Sequence, residues 1–282
     1  MRILAILDRP ETALSTLQAT GELARRLNGQ DIRLLHPKPA IDPAFQAPDE
    51  GIPTPDQRKA FAAQVARRAK RLHDIALQWI GAASDPIAAK AEWVEMAGDT
   101  SGIVAREARQ ADLVVISRPR ADDRQTIGQA FSGALYDAGA TVLIAPLQAC
   151  DTVGRRPVVA WHPSPALDRA LDAAQPLLEA AEHVTFLIGT EHDTAEAPPD
   201  RARMLIDRGV PVTIDRFVAP RDRIGAEIRA HALAARGDLL IMGAYTHSRF
   251  LEFLFGGPTR DLLAHATLPI LTCHHGIEDP IA

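Results

Sequence analysis

The segment richest in binding chemistry follows the apolar run 239–242. There Gly243-Ala244-Tyr245-Thr246-His247-Ser248-Arg249 leads through an apolar stretch, 250–255, into Gly256-Gly257-Pro258-Thr259. Glycine lets backbone N–H groups turn outward with no Cβ in the way, and a helix opening here adds unpaired donors and the positive end of its dipole. Together these could cradle a phosphate. Pro258 suits the first turn of that helix, where its missing N–H costs nothing, and Thr259 brings a hydroxyl to the same donors. The two glycines would equally serve a tight turn from loop into helix, so local chemistry leaves both readings open.

Elsewhere the candidates are weaker. Asp8 ends the first apolar run and reads as a turn or helix-cap residue before a ligand contact. Arg118, Arg120 and Arg124 surround Asp122 and Asp123, which reads as a solvated loop, with anion binding the lesser alternative. Arg67, Arg68, Lys70 and Arg71 lie opposite an apolar helix stripe and read as solvated surface. His162, His183, His192, His231, His247, His265, His274 and His275 show no metal-ligand spacing with a Cys or carboxylate partner, so no metal is expected. Cys150 and Cys273 lack a neighbour that would activate a thiol, since His274 points to the face opposite Cys273 on an extended segment. No Gly-x-Ser-x-Gly elbow occurs and Ser132 falls inside a predicted helix, so no catalytic residue is assigned and a hydrolase of that class is not expected.

The elements that must position these residues alternate. Residues 3–7 form a short apolar strand, and Leu14, Leu17, Leu23 and Leu27 mark a helix that stops at Asn28-Gly29. A second strand over 32–35 leads into a proline-dense loop, 36–55. The helix predicted over 56–80 buries Phe61, Val65, Leu72, Ile75, Ala76 and Trp79. A short strand around Trp93-Val94, a helix capped within Gly98-Asp99-Thr100-Ser101, a strand over 113–116, a helix over 126–137 and a strand over 142–145 complete the set. Five strands alternating with four helices predict a parallel sheet covered on both faces. The order then starts again at 157–161. Residues 111–116 (Ala-Asp-Leu-Val-Val-Ile) are echoed by 237–242 (Gly-Asp-Leu-Leu-Ile-Met), and 140–144 by 266–270, both at an offset of 126 residues. Two matches in one register point to a duplicated domain.

Composition narrows the function. With 46% hydrophobic and 24% charged residues in 282, the chain can bury a core. Lys+Arg number 31 against Asp+Glu 36, a formal charge of −5 with no long block of one sign, which argues against capture of nucleic acid or acidic membranes. No apolar stretch approaches a spanning helix, and neither a cleavable leader nor a disulfide framework is legible, so a cytoplasmic location is expected.

The stretch 238–271, a strand ending in Met-Gly, a glycine-rich loop and a helix leading into Leu-Pro-Ile-Leu, resembles the C-terminal signature of the universal stress protein family. The resemblance implies two tandem doubly wound α/β domains, each a five-stranded parallel sheet flanked by helices, of the adenine-nucleotide alpha hydrolase-like type. It implies a first domain over 1–147 with a degenerate site, a linker over 148–156, a second domain over 157–276 with a partial nucleotide motif, and a tail over 277–282. The family's nucleotide binders carry Gly-x2-Gly-x9-Gly-Ser/Thr after the fourth strand. Here Gly243 matches the first glycine and Gly256 the third, while Thr246 and Gly257 replace the second glycine and the hydroxyl residue. His162 stands where those binders carry an aspartate.

The implied function is stress-response regulation, with ATP or AMP held in the second domain by Gly243, Thr246, Gly256, Gly257, Thr259 and His162. The chain is not expected to be an enzyme beyond slow incidental ATP hydrolysis. The halves would form an intramolecular pseudo-dimer through strands 142–145 and 269–271, with further dimerisation open. The alternative is a nucleotide-free interaction module that recognises an unknown protein partner around the loop 36–55. An enzyme acting on a small adenylated substrate is a third reading, resting on fold analogy alone.

Overall fold

The computed structural model describes residues 1–29, 31–42, 52–82, 86, 88–120, 123, 125–192, 197–220, 223–244 and 267–274. They fall into two compact units, Met1–Ala140 and Thr141–Ala282.

The first unit runs β1 (Arg2–Ile6), α1 (Pro10–Arg26), β2 (Asp31–Pro39), α2 (Pro55–Ala82), β3 (Glu92–Gly98), α3 (Thr100–Ala108), β4 (Leu113–Ser117) and α4 (Gln125–Ser132). Its strands are parallel and lie in the order β3-β2-β1-β4. Ile3, Ala5, Ile6, Val114, Val115 and Ile116 are fully buried, which is why β1 and β4 read as unbroken apolar runs rather than alternating ones. On α2 the expected stripe faces inward, with Leu72 and Ala76 buried and Phe61, Val65, Ile75 and Trp79 half-buried. Thr54 and Gln57 form a capping box at its start, each side chain bonding the other's backbone N–H at 3.3 and 2.8 Å. The Asp99 carboxylate accepts from Gly102 N at 2.7 Å and caps α3.

Two elements depart from the sequence expectation. The strand expected over 32–35 continues to Pro39, paired with β3 as far as Gly98. Leu35 turns its carbonyl toward the β1 side, where Leu7 N donates to it at 2.8 Å. By alternation Pro37 and Pro39 face that same side beyond the end of β1, where a missing N–H breaks no ladder bond. The helix expected over 126–137 is α-helical only to Ser132 and widens to a π-turn over Gly133–Asp137. A Cβ on Gly133 would lie 2.5 Å from Ser101 O, so glycine permits the close approach to α3.

The second unit contains β5 (Thr141–Ala145), β6 (Pro157–Ala160), α5 (Pro165–Glu179), β7 (Val184–Thr190), α6 (Asp200–Asp207), β8 (Val212–Val218), α7 (Ile224–Ala234), β9 (Leu239–Gly243) and β10 (Ile270–Cys273). The order is β5-β10-β9-β6-β7-β8. All pairings are parallel except β5 with β10, which run antiparallel with Ile144 opposite Ile270. Leu167, Leu171, Leu177 and Leu178 of α5 are buried.

The same construction recurs in both units. Asp112, just before β4, accepts from Arg2 N at the start of β1 at 2.7 Å. Asp238, just before β9, accepts from Gly154, Arg155 and Arg156 N at 3.1, 2.9 and 2.8 Å. The segment 148–156, expected as a linker, is thus pinned at its end by one carboxylate. Gly154 sits there at φ +79, a conformation that favours glycine.

Candidate functional site

In an open parallel sheet, ligands lie beyond the carboxyl ends of the strands where strand order reverses. In the first unit the reversal falls between β1 and β4, and in the second between β6 and β9. The registers make the two crevices comparable position by position. Leu7 N donates to Leu35 O and Trp161 N to Leu187 O, at 2.8 and 2.9 Å, each one residue past the pairs Ile6↔Leu35 and Ala160↔Leu187. Asp8 of the first unit therefore corresponds to His162 of the second, and Ser117 to Gly243.

In the first unit the crevice is filled from within. Arg9 is only 5% exposed. Its Nε donates to Thr12 Oγ1 at 3.1 Å, and one terminal nitrogen donates to Ser117 Oγ at 3.0 Å and to the Arg118 carbonyl. The other terminal nitrogen forms an ion pair with Asp123. Ser117 Oγ in turn donates to Asp8 Oδ1 at 3.2 Å. Burial pushes the Asp8 carboxyl up to about 6, against the opposing pull of Arg9 and the Ser117 hydrogen bond. Its Oδ2 has no hydrogen-bond partner among the described residues.

Asp8 is therefore not the cap or turn residue expected. Arg9 is the N-cap of α1, and makes no side-chain capping bond. Nor is the arginine loop wholly solvated: Arg118 is 3% exposed, and burial alone pushes its guanidinium down to about 10. Arg120 is exposed, and its backbone N–H donates to Asp123 at 2.5 Å. Arg124 lies outside the described residues.

Beside this network His36 Nδ1 is 2.7 Å from Leu7 O. Burial pushes the ring down to about 4, and the Arg68 charge pulls the same way, so at neutral pH Nδ1–H donates to that carbonyl. The ring stacks on Trp93 at 6.1 Å between centroids.

The second crevice is built differently. His162 is exposed and Gly243 half-buried, leaving the same end of adjacent strands. Ser164 caps α5, its Oγ accepting from Leu167 N at 3.2 Å. A Cβ on Gly243 would meet Leu167 N and Ser164 Oγ at 2.9 Å each. This glycine is required by the approach of α5 to the end of β9, whatever else it does. Of the six residues expected around a nucleotide, these two are brought together; Thr246, Gly256, Gly257 and Thr259 lie outside the described residues. Arg9 is the site residue missed in the sequence, where Asp8-Arg9-Pro10 reads as a turn; its position directly after the first strand was the signal.

No protein-family model matches the sequence, and no curated protein matches it. Solved structures do. A universal stress protein of Archaeoglobus fulgidus superposes with a TM-score of 0.69 over 99% of this chain and 97% of its own, at 15% identity. The fold is that of the universal stress proteins. A universal stress protein structure from Pseudomonas aeruginosa UCBPP-PA14 gives a TM-score of 0.53 at 14% identity, over 97% of this chain and 92% of its own. A functionally unknown protein from Pseudomonas aeruginosa PAO1 gives 0.52 at the same identity and coverage. Among the described residues of this universal stress protein fold, no group of three or more His, Cys, Asp and Glu is placed to hold a metal, and no helix is long and apolar enough to cross a membrane.

Proposed function

We propose that the chain is a tandem, two-domain member of the universal stress protein family, a stress-response regulator. Its second unit holds ATP or AMP beyond β6 and β9, without significant catalysis. The observation behind this reading is the contrast between corresponding positions of the two crevices. Beyond β1 and β4, the Arg9 guanidinium is bonded to Ser117 Oγ, the Arg118 carbonyl and Asp123, so a charged side chain of the protein itself occupies the position between the strand ends. Beyond β6 and β9, the residue corresponding to Arg9 is Pro163, which is exposed and has no charged group to turn inward. The glycine-rich stretch that could cradle a phosphate follows β9 in the sequence, and His162 would face the base or ribose.

Calorimetric titration of ATP and AMP into full-length protein tests this, with Gly256→Val as the control. One site per chain, lost in the variant, is the expected result. Absence of heat at millimolar ATP would sink it.

A second reading, a nucleotide-free interaction module, draws on two observations. The packing of α5 accounts for Gly243 without a ligand. A cleft of about 490 Å³ beside the proline-dense segment is lined by Pro39, Ile41, Pro53, Phe61 and Val65, and Ile41 is 59% exposed. Recovery of a partner protein that Ile41→Asp releases, alongside nucleotide-free protein, would favour that reading.

A further inference from the structure

We propose that the first unit has an anion site of its own, which takes the phosphate group of a small molecule in a cleft between the start of α1 and the middle of α2. The cleft has a volume of about 450 Å³ and is lined by Arg9, Glu11, Gln64, Arg67, Arg68 and Arg71, with Asp123 beside Arg9. The four residues from α2 recur at steps of three, one and three, which places them on one face of the helix. Arg67 and Arg71 are solvated, as expected from the sequence, and together with half-buried Arg68 they also line this cleft.

Their charges are differently employed. Arg9 is paired with Asp123 and forms the floor. Arg68 is half-buried and close enough to depress the His36 titration. Arg67 and Arg71 are exposed, and neither makes a hydrogen bond or ion pair with another described residue. Lys70, on the adjacent face, is by contrast bonded to Asp74 at 2.8 Å. Among the described lining residues, four arginines against Glu11 and Asp123 give a formal surplus of two positive charges, which matches a phosphate dianion. Planar guanidinium groups bind phosphate oxygens in pairs, and those of Arg67 and Arg71 have donors to spare. The volume exceeds that of one phosphate and falls in the range of small-molecule sites, with Pro10 and Ile127 as the apolar part of the wall. The site does not depend on nucleotide binding in the second unit.

The test is titration of full-length protein with glycerol 3-phosphate, inorganic phosphate and glycerol at low salt, repeated with Arg67→Gln, Arg71→Gln and Lys70→Gln. Glycerol 3-phosphate should bind where glycerol does not. Its affinity should fall about tenfold in each arginine variant and stay unchanged in Lys70→Gln, as expected for loss of one charge-assisted contact. Tighter binding of the ester than of inorganic phosphate would identify an ester as the ligand, and equal binding the free anion. No binding at millimolar concentration would overturn the proposal. So would equal weakening by Lys70→Gln, since that reports only general charge attraction.

Discussion

Asp8 and Arg9 decide how the first crevice behaves. The Asp8 carboxyl titrates near 6 in the folded protein against an ordinary value of 3.8. The folded state therefore holds this proton more tightly than the unfolded chain does. Stability from this group falls as pH rises from 3.8 through 6, by about 3 kcal/mol for a shift of this size. Asp8→Asn removes that loss. Denaturant unfolding from pH 4 to 7 should show wild type losing about 2 kcal/mol relative to the variant, the rest of the loss falling below pH 4; parallel curves would show that Asp8 is not the titrating group. The difference between the two proteins must be read, because His36 acts the other way. Its folded value near 4 lies below 6.5, so its contribution is lost as pH falls from 6.5 toward 4. Replacing Arg9 by Met leaves Ser117 Oγ and the Arg118 carbonyl without their donor and Asp123 without its ion-pair partner. A loss of roughly 3 kcal/mol is expected, the usual effect of removing one partner of a buried ion pair. An unchanged denaturation midpoint would contradict the plug assigned to Arg9.

At the level of elements, the apolar strands were legible because burial on both faces leaves a run no polar position can interrupt. Residues 113–116 and 239–242 were placed nearly to the residue. The end of β2 was not, because Pro37 and Pro39 ordinarily signal a loop; only the early end of β1 frees the side their nitrogens face. The helix broken into a π-turn at Gly133 was likewise hidden, since the cause is a contact with Ser101, distant in sequence. The candidate site was legible in part. His162 and Gly243 were placed at one crevice, while Arg9 was missed because a guanidinium's partners at Ser117 and Asp123 come together only in the fold. The carboxylates before β4 and β9 invite a direct comparison. Asp238 accepts from three backbone N–H groups and Asp112 from one, Arg2 N. Asp238→Ala should therefore destabilise by about 3 kcal/mol and Asp112→Ala by about 1 kcal/mol, at roughly 1 kcal/mol per bond. Equal losses on thermal unfolding would contradict that count.

For the whole molecule, two units of similar construction support different proposed roles. The first has a crevice occupied by Arg9 and an arginine-lined cleft beside it, whereas the second has an exposed histidine and the glycine-rich stretch. The proposed roles are asymmetric, with one nucleotide per chain held by the second unit. Native mass spectrometry of full-length protein equilibrated with ATP tests this most directly, because stoichiometry is read without assuming where the ligand sits. A single adenine nucleotide per chain, lost in Gly256→Val and retained in Arg9→Met, is the predicted result. Two nucleotides per chain, or none, would contradict it.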